Sequence, residues 1–268
     1  MSLTLTTPDL PQPVLRDLRG AFDALEHPSL AARLAAMAGM PVEALRARLP
    51  AAVQGGLDGA VRGALSAAMT AALRSGPART PLPVPSAWFH RGLVVASGAL
   101  GGAFGLPGTL VELPVSTAIL LRQVAAIGAE AGEDLSAPEA AAECLKVFAL
   151  GGTSPSDDAA ESGYFAVRLA LAEALKGAVG RTIVPGFVTA VASRFIGPVG
   201  LKLSAQAAPV LGAAAGAAVN LAFLEHFRSV ARGHFTLRRL ERTHGTQRVR
   251  AAWDALAASR DAPFLEKR

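Results

Sequence analysis

Twenty-two consecutive residues, Leu203 to Leu224, carry no charged side chain, and they run directly into a dense basic stretch, HFRSVARGHFTLRRLERTHG, at residues 226–245. A chain built this way packs the first part away from water and brings the second to an anionic surface or to acidic partners. On a helical projection of Leu224 to Thr243, Arg228, Arg232, Arg239 and Arg242 fall within ~80° of one another at 3.6 residues per turn. Phe223, Val230, Leu237 and Leu240 lie opposite. The pattern predicts a basic amphipathic helix. It can lie at an anionic interface, or pack its apolar side on a core and show arginine to water. The two readings coexist if only the arginine stripe touches lipid headgroups.

A second uncharged run, Gly92 to Val111, holds six glycines in twenty residues. Length alone allows each run to span a bilayer, since ~20 apolar residues cross the hydrocarbon core. Both carry glycines at four-residue spacing, Gly101/Gly105 and Gly212/Gly216, which permits close helix contact. Both also contain proline and few of the large aliphatic side chains that drive insertion. The expectation is buried core helices, or a hairpin dipping into the bilayer. Hydrophobic residues make up 51% of the 268-residue chain and charged residues only 18%, a dry balance beside the roughly 25% charge of ordinary domains.

Strand signals are weak, because no period-two alternation lasts long enough to build a sheet. The chain reads as all-α. Residues 13–75 read as two or three amphipathic helices broken at Pro28 and at Gly39-Met40-Pro41. Gly76-Pro77 with Pro81, Pro83 and Pro85 forms a stiff linker. Leu113 to Ala131 is predicted helical, with Leu113, Leu120, Leu121, Val124 and Ile127 on one stripe and Gly132 at its end. Ser136-Ala-Pro-Glu139 reads as a capping box opening a helix that stops at Gly151-Gly152. Ser154-Pro-Ser-Asp157 opens another running toward Gly177. Pro185, Gly197-Pro198 and Pro209 then divide the next region into short helices. The expected organisation is an amphipathic helical region at 1–80, a compact multi-helix domain at 81–250 with the two Gly/Ala-rich segments in its core, and a polar tail at 251–268.

The net charge of +5 hides an asymmetry. From Phe227 to Arg268 there are ten Lys or Arg against four acids, while Gly128 to Asp158 holds seven acids and one Lys. The two charged ends are either solvated helix faces or, at the basic end, a patch for an anionic partner, most simply phospholipid. Aromatic residues are only 5% of the chain, which argues against a base-stacking platform for nucleic acid. Cys144 is the single cysteine, so there is no disulfide framework and no Cys-rich zinc site. The amino terminus is interrupted by Asp9, Pro11, Pro13 and Arg16 before an apolar core forms, so no secretory signal is read and the cytoplasmic side is expected.

Ala208 to Gly245, APVLGAAAGAAVNLAFLEHFRSVARGHFTLRRLERTHG, resembles the carboxy-terminal signature of the EcsC protein family. Three further pieces match in order: GALGGAFGLPGTLVELP ahead of an Arg122-bearing helix, the GEDL step at Gly132 to Leu135, and SDDAAESGYFAVRLALAE from Ser156 to Glu173. The likeness covers roughly residues 85–245. Where this chain has Glu112 the family often has Asp. The family name comes from a bacterial operon that also encodes an ABC transporter, so the resemblance implies a membrane neighbourhood. Some relatives carry a peptidase label. The resemblance brings no catalytic set with it.

The candidate residues follow from the signature. Arg228, Arg232, Arg239 and Arg242 are the expected anion- or membrane-binding stripe. Glu112, Arg122, Asn220, His226, His234 and Arg238 are candidates for a buried polar pocket, with Tyr164, Arg168, Asp157 and Asp158 open to the same reading. His226 and His234 are metal ligands or a general base, completed by Glu112, Glu225 or Glu241, or else buried imidazoles bonded to backbone or carboxylate. Their spacing is eight residues, not the four that sets two imidazoles side by side on one helix for zinc. Glu112 and Arg122 are each expected to reach another segment, Glu112 toward Arg232 or Arg238. Cys144 reads as a small core residue. No G-x-S-x-G elbow appears, and the glycines at 98–108 lack the Lys and Ser/Thr of a phosphate-binding loop. No cofactor is expected. Two functions fit. One is a peripherally membrane-associated, non-catalytic accessory protein that binds anionic lipid or a membrane protein; Gly/Ala packing equally suits self-association. The other is a metal-dependent hydrolase using His226 and His234.

Overall fold

The computed structural model describes residues 10–26, 30–47, 56–67, 113–152, 163–175, 185–206 and 213–261. Every regular element among them is helical: α1 (Gln12–Glu26), α2 (Leu30–Ala38), α3 (Val42–Ala47), α4 (56–67), α5 (113–130), α6 (Pro138–Leu150), α7 (Tyr164–Leu175), α8 (Pro185–Gln206), α9 (Ala213–His244) and α10 (Thr246–Asp261). The amino-terminal region thus holds four described helices rather than two or three, and Gly39, at φ 65°, closes α2 where the sequence places a break. The proline linker, the run Gly92 to Val111 and the opening at Ser154 lie outside the described residues, as do Glu112, Asp157 and Asp158.

Helix α9 is the organising element, 32 residues and so ~48 Å long. It is apolar toward its start and charged toward its end, and the rest of the fold sorts itself accordingly. Around its first half, Phe223 and Phe227 join Phe148 of α6 and Phe195 of α8, with ring centroids 4.9–6.1 Å apart. Gly151, just past α6, lies under the Phe227 ring, so that a side chain there would collide with it. Along the second half, α1 runs antiparallel. Asp17 pairs with Arg239, and Ala21, Ala24 and Leu25 press on Gly233. A methyl group at 233 would sit 2.9 Å from Leu25 Cγ and 3.1 Å from the Ala21 carbonyl oxygen, closer than packing allows. Phe235, two residues on, covers Gly128 of α5.

The uncharged run Leu203 to Leu224 is described in two pieces, with residues 207–212 outside the described ones. Leu203 to Gln206 ends α8 and Ala213 to Leu224 begins α9. No described helix is long and apolar enough to cross a membrane.

Two local expectations are corrected. Pro185, Gly197-Pro198 and Pro209 were expected to make short helices, but Pro185–Gln206 is one helix with Pro198 inside it. Pro185 stands at the first helical residue, where no donor is needed. Pro198 cannot donate to the Arg194 carbonyl. That oxygen lies against Gly152, where any side chain would strike it, so the glycine lets α6 close over the freed carbonyl. The capping box at Ser136 is not formed either. Ala137 occupies the N-cap with no side-chain bond, and the Ser136 amide instead donates to Asp134 Oδ1 at 2.9 Å. A carboxylate two residues back competes better than a box that must span the helix start.

Helix α5 follows its predicted stripe, with Leu113, Leu120, Leu121, Val124 and Ile127 buried and Gly132 at φ 83° after its end. Past Gly245, at φ 89°, the segment 251–261 read as the start of a polar tail continues as α10. It buries Val249, Ala252 and Trp253, whose ring meets Phe22, Tyr164 and Phe165.

Candidate functional site: a buried tyrosine–histidine–glutamate network

The second half of α9 turns His234, Arg238, Glu241 and Arg242 toward α5, α6 and α7, because i, i+4 and i+7, i+8 share a helix face. His234 is fully buried and touches two partners. Its Nε2 lies 3.0 Å from Glu143 Oε2 on α6, and its Nδ1 lies 2.8 Å from the Tyr164 hydroxyl at the start of α7. A carboxylate only accepts, so Nε2 carries the proton and donates to Glu143. The bare Nδ1 then accepts from the Tyr164 O–H. The proton order is fixed along the whole chain, tyrosine to imidazole to carboxylate.

Glu143 is the centre of charge. Lys146 Nζ lies 2.8 Å from its Oε1, and Arg238 Nη1 lies 3.1 Å from the same oxygen. Burial raises the Glu143 pKa, but the bond from His234 and the nearby cations outweigh it and hold the carboxyl well below the usual range. Arg238 also forks onto Glu133, with Nε at 2.9 Å and Nη2 at 3.0 Å. Arg242 bonds to the same carboxylate and donates to the Ala131 carbonyl at 2.8 Å. Burial opposes ionisation of Glu133, and the two arginines overcome it, so its pKa is lowered. On the far side, Arg168 forks onto Glu241 with two 2.8 Å bonds, tying α7 to α9.

The same burial keeps the neutral groups neutral. It lowers the His234 pKa, against the pull of Glu143. It raises the Tyr164 hydroxyl beyond its usual range and pushes the Cys144 thiol up to about 12. Neither is a ready nucleophile, since the reactive form of each is its anion. His226, two turns before His234, is separate from the network. Its Nε2 donates to the Gly151 carbonyl at 2.8 Å, and burial drives its pKa down to about 4. Eight residues put the two imidazoles ~12 Å apart along the helix. The structure therefore does not bring His226 and His234 together. Among the described residues, no three His, Cys, Asp or Glu side chains are grouped to hold a metal ion.

The remaining sequence candidates fall as follows. Arg238 joins the network through Glu133 and Glu143. Asn220 is buried in the apolar half of α9. Arg122 is exposed on α5 and lies outside the buried cluster, because it sits off the leucine stripe. Of the four stripe arginines, Arg232 is exposed. Arg239 is about half exposed and pairs with Asp17 at 2.9 Å, and Arg242 is 42% exposed while bonded to Glu133. Arg228 departs from the stripe. It is buried, with Nη1 3.3 Å from Glu225. Sequence reasoning missed Glu143, Lys146 and Glu133. The signal was present: Glu143 and Lys146 are the only charges between Ala140 and Gly152, one helical turn apart on an otherwise apolar helix.

Every signature position from Ala231 to Arg242 has a described environment, and most of them bind the core together. The profile of the EcsC protein family matches residues 13–240. The chain belongs to the EcsC protein family. The match begins well before residue 85, where the sequence resemblance starts. The fold accounts for the extension, since α1 lies against the ARGHF step of the EcsC signature and Asp17 answers its Arg239. No curated protein and no solved structure matches the chain.

Proposed function

We propose that this EcsC-family chain is a non-catalytic helical accessory protein that docks peripherally on an anionic membrane surface. One observation carries the reading. The acid–base groups of the signature face one another inside the molecule, with both nitrogens of the fully buried His234 already engaged. A general base needs a lone pair within reach of substrate; here that lone pair is occupied by Tyr164. Function then falls to the surface. Arg232 on α9 and Arg248 and Arg250 on α10 are exposed, and Arg239 and Arg242 keep part of their guanidinium in water beside their partners. Each cation near an anionic bilayer contributes about 1 kcal/mol, so a handful gives reversible peripheral binding. The membrane neighbourhood implied by the family name agrees with this.

Sedimentation with phosphatidylglycerol-containing vesicles tests the reading. Binding is expected at low salt, weakening as salt rises, and lost in Arg232→Glu/Arg248→Glu, which leaves the buried network untouched. No binding at low salt, or equal binding by the variant, overturns it.

A further inference from the structure

The family match ends at residue 240, and α10 begins at Thr246. The helix beyond the match nevertheless covers part of the matched core. Its Val249, Ala252 and Trp253 are buried. The Trp253 ring lies 4.9 Å from Phe22 on α1, and 5.5 Å and 5.4 Å from Tyr164 and Phe165 on α7, between centroids. Arg250 sets its guanidinium 3.9 Å over the Phe165 ring. Together α1, α7 and α9 wall a groove that one face of an amphipathic helix fills.

No side-chain hydrogen bond or ion pair fixes α10 there. Among the described residues, those of α10 stay inside the helix: Arg250 pairs with Asp254, and Ser259 Oγ donates to the Leu256 carbonyl. By contrast, α6 and α7 reach α9 through Glu143 and Arg168.

The link from α9 to α10 is a single residue. Gly245 stands between His244 and Thr246 at φ 89°. Its amide donates to the Glu241 carbonyl at 3.0 Å, and its own carbonyl takes the Val249 amide at 3.2 Å. Helical bonding thus reaches Gly245 from one side and resumes on the other, and the left-handed turn of this one residue folds α10 back. A Cβ at 245 would meet nothing within 4 Å, so the glycine serves the backbone angle and not a close approach. Turned to helical angles, it would join α9 and α10 into one helix from Ala213 to Asp261, ~73 Å long. In that form α10 stands clear of its own groove.

We propose that the groove is a self-association site: α10 fills it in cis, and when Gly245 straightens, α10 of a second copy fills it by reciprocal exchange. A second copy fits because its α10 brings the same Trp253 and Arg250 to the same Phe22, Tyr164 and Phe165, so these contacts are kept and only the hinge changes. A short tether holds α10 beside its own groove at an effective concentration of order millimolar. Wild type is therefore expected to be monomeric in the micromolar range, and the hinge residue sets the balance.

Sedimentation equilibrium of the full chain tests this. Gly245→Ala strains the left-handed turn and suits the straight helix. Its dimer is expected at roughly hundredfold lower concentration than that of wild type, about tenfold for each hinge relieved. Gly245→Ala/Trp253→Ala is expected to remain monomeric. A Gly245→Ala chain that stays monomeric throughout the micromolar range overturns the proposal, as does dimerisation that survives the loss of Trp253. Should Gly245→Ala not fold, a synthetic peptide of residues 246–261 decides. At concentrations of order millimolar it is expected to displace α10 and bind the wild-type chain one to one, where its Trp253→Ala form does not; equal behaviour of the two peptides overturns the proposal.

Discussion

The two halves of α9 solve the same packing problem with different chemistry. The first half closes on α6 and α8 through Phe148, Phe195, Phe223 and Phe227, and through the glycine at 151 that lets Phe227 approach. The second half closes on α5, α6 and α7 through ion pairs and one imidazole, beside the apolar contact of Phe235 with Gly128. Apolar packing depends on shape and is indifferent to pH. The charged half depends on each partner being present and in one protonation state, because a buried charge without its partner costs far more than the pair contributes. A signature rich in Arg, His and Glu can therefore be a fastening rather than a reaction centre.

The largest effect should come from removing the centre of charge. Glu143→Ala leaves Lys146, Arg238 and His234 facing an empty place, and should cost ~3–5 kcal/mol in urea unfolding. Phe227→Ala should cost a similar ~3–5 kcal/mol. The two separate with pH. The cost of Phe227→Ala should stay constant, while that of Glu143→Ala should shrink in strong acid as the wild-type carboxyl itself takes a proton. Parallel behaviour of the two variants would erase the distinction between the halves.

Gly233→Ala sharpens the comparison from the backbone side. The added methyl meets Leu25 Cγ at 2.9 Å, so ~1–3 kcal/mol of overpacking is expected. Thermal unfolding should show the loss without any change in its pH dependence.

Wild-type stability should itself fall on acidification, and two buried histidines set the sign. Both have folded pKa values below the unfolded one, His226 at about 4 and His234 lowered as well. Their contribution is complete above about pH 6.5 and is lost as pH falls, since the unfolded chain binds the protons first. His226→Asn, whose amide can still donate to Gly151, should flatten the upper part of that curve; a curve unchanged in shape would place the titration elsewhere. The smallest effect belongs to the surface. Arg232→Glu should change stability by no more than ~0.5 kcal/mol, while reducing vesicle binding.

Much of this fold was legible in the sequence, for reasons visible in particular elements. Leucines at 3.6-residue spacing from Leu113 to Ile127 could only face a core, and they do. Phe223, Val230, Leu237 and Leu240 were likewise placed on the buried side of α9. Proline punctuation misled at α8, because a helix interior tolerates Pro198 when a glycine just past the end of another helix can cover the freed carbonyl, and that neighbour is two elements away in sequence. The capping box misled because Asp134 offered Ser136 a nearer partner. The site was half legible. His234 and Arg238 were named among the candidates for a buried polar pocket, but periodicity says only which way a side chain points, not what meets it. Glu143 is 91 residues from His234 and Glu133 is 105 from Arg238, distances over which one sequence carries no pairing signal. Arg228 was assigned to water by its angle on the helix and is buried, because neighbouring elements cover more of α9 than its own apolar arc.

A double-mutant cycle between Tyr164→Phe and Glu143→Gln probes the network most directly, because His234 is bonded to both residues. If the tautomer of His234 links them, the losses should fail to add, with a coupling of ~0.5–3 kcal/mol in urea unfolding. Strict additivity would mean that tyrosine, imidazole and carboxylate are independent contacts, and the picture of a single inward-facing lock on α9 would be wrong.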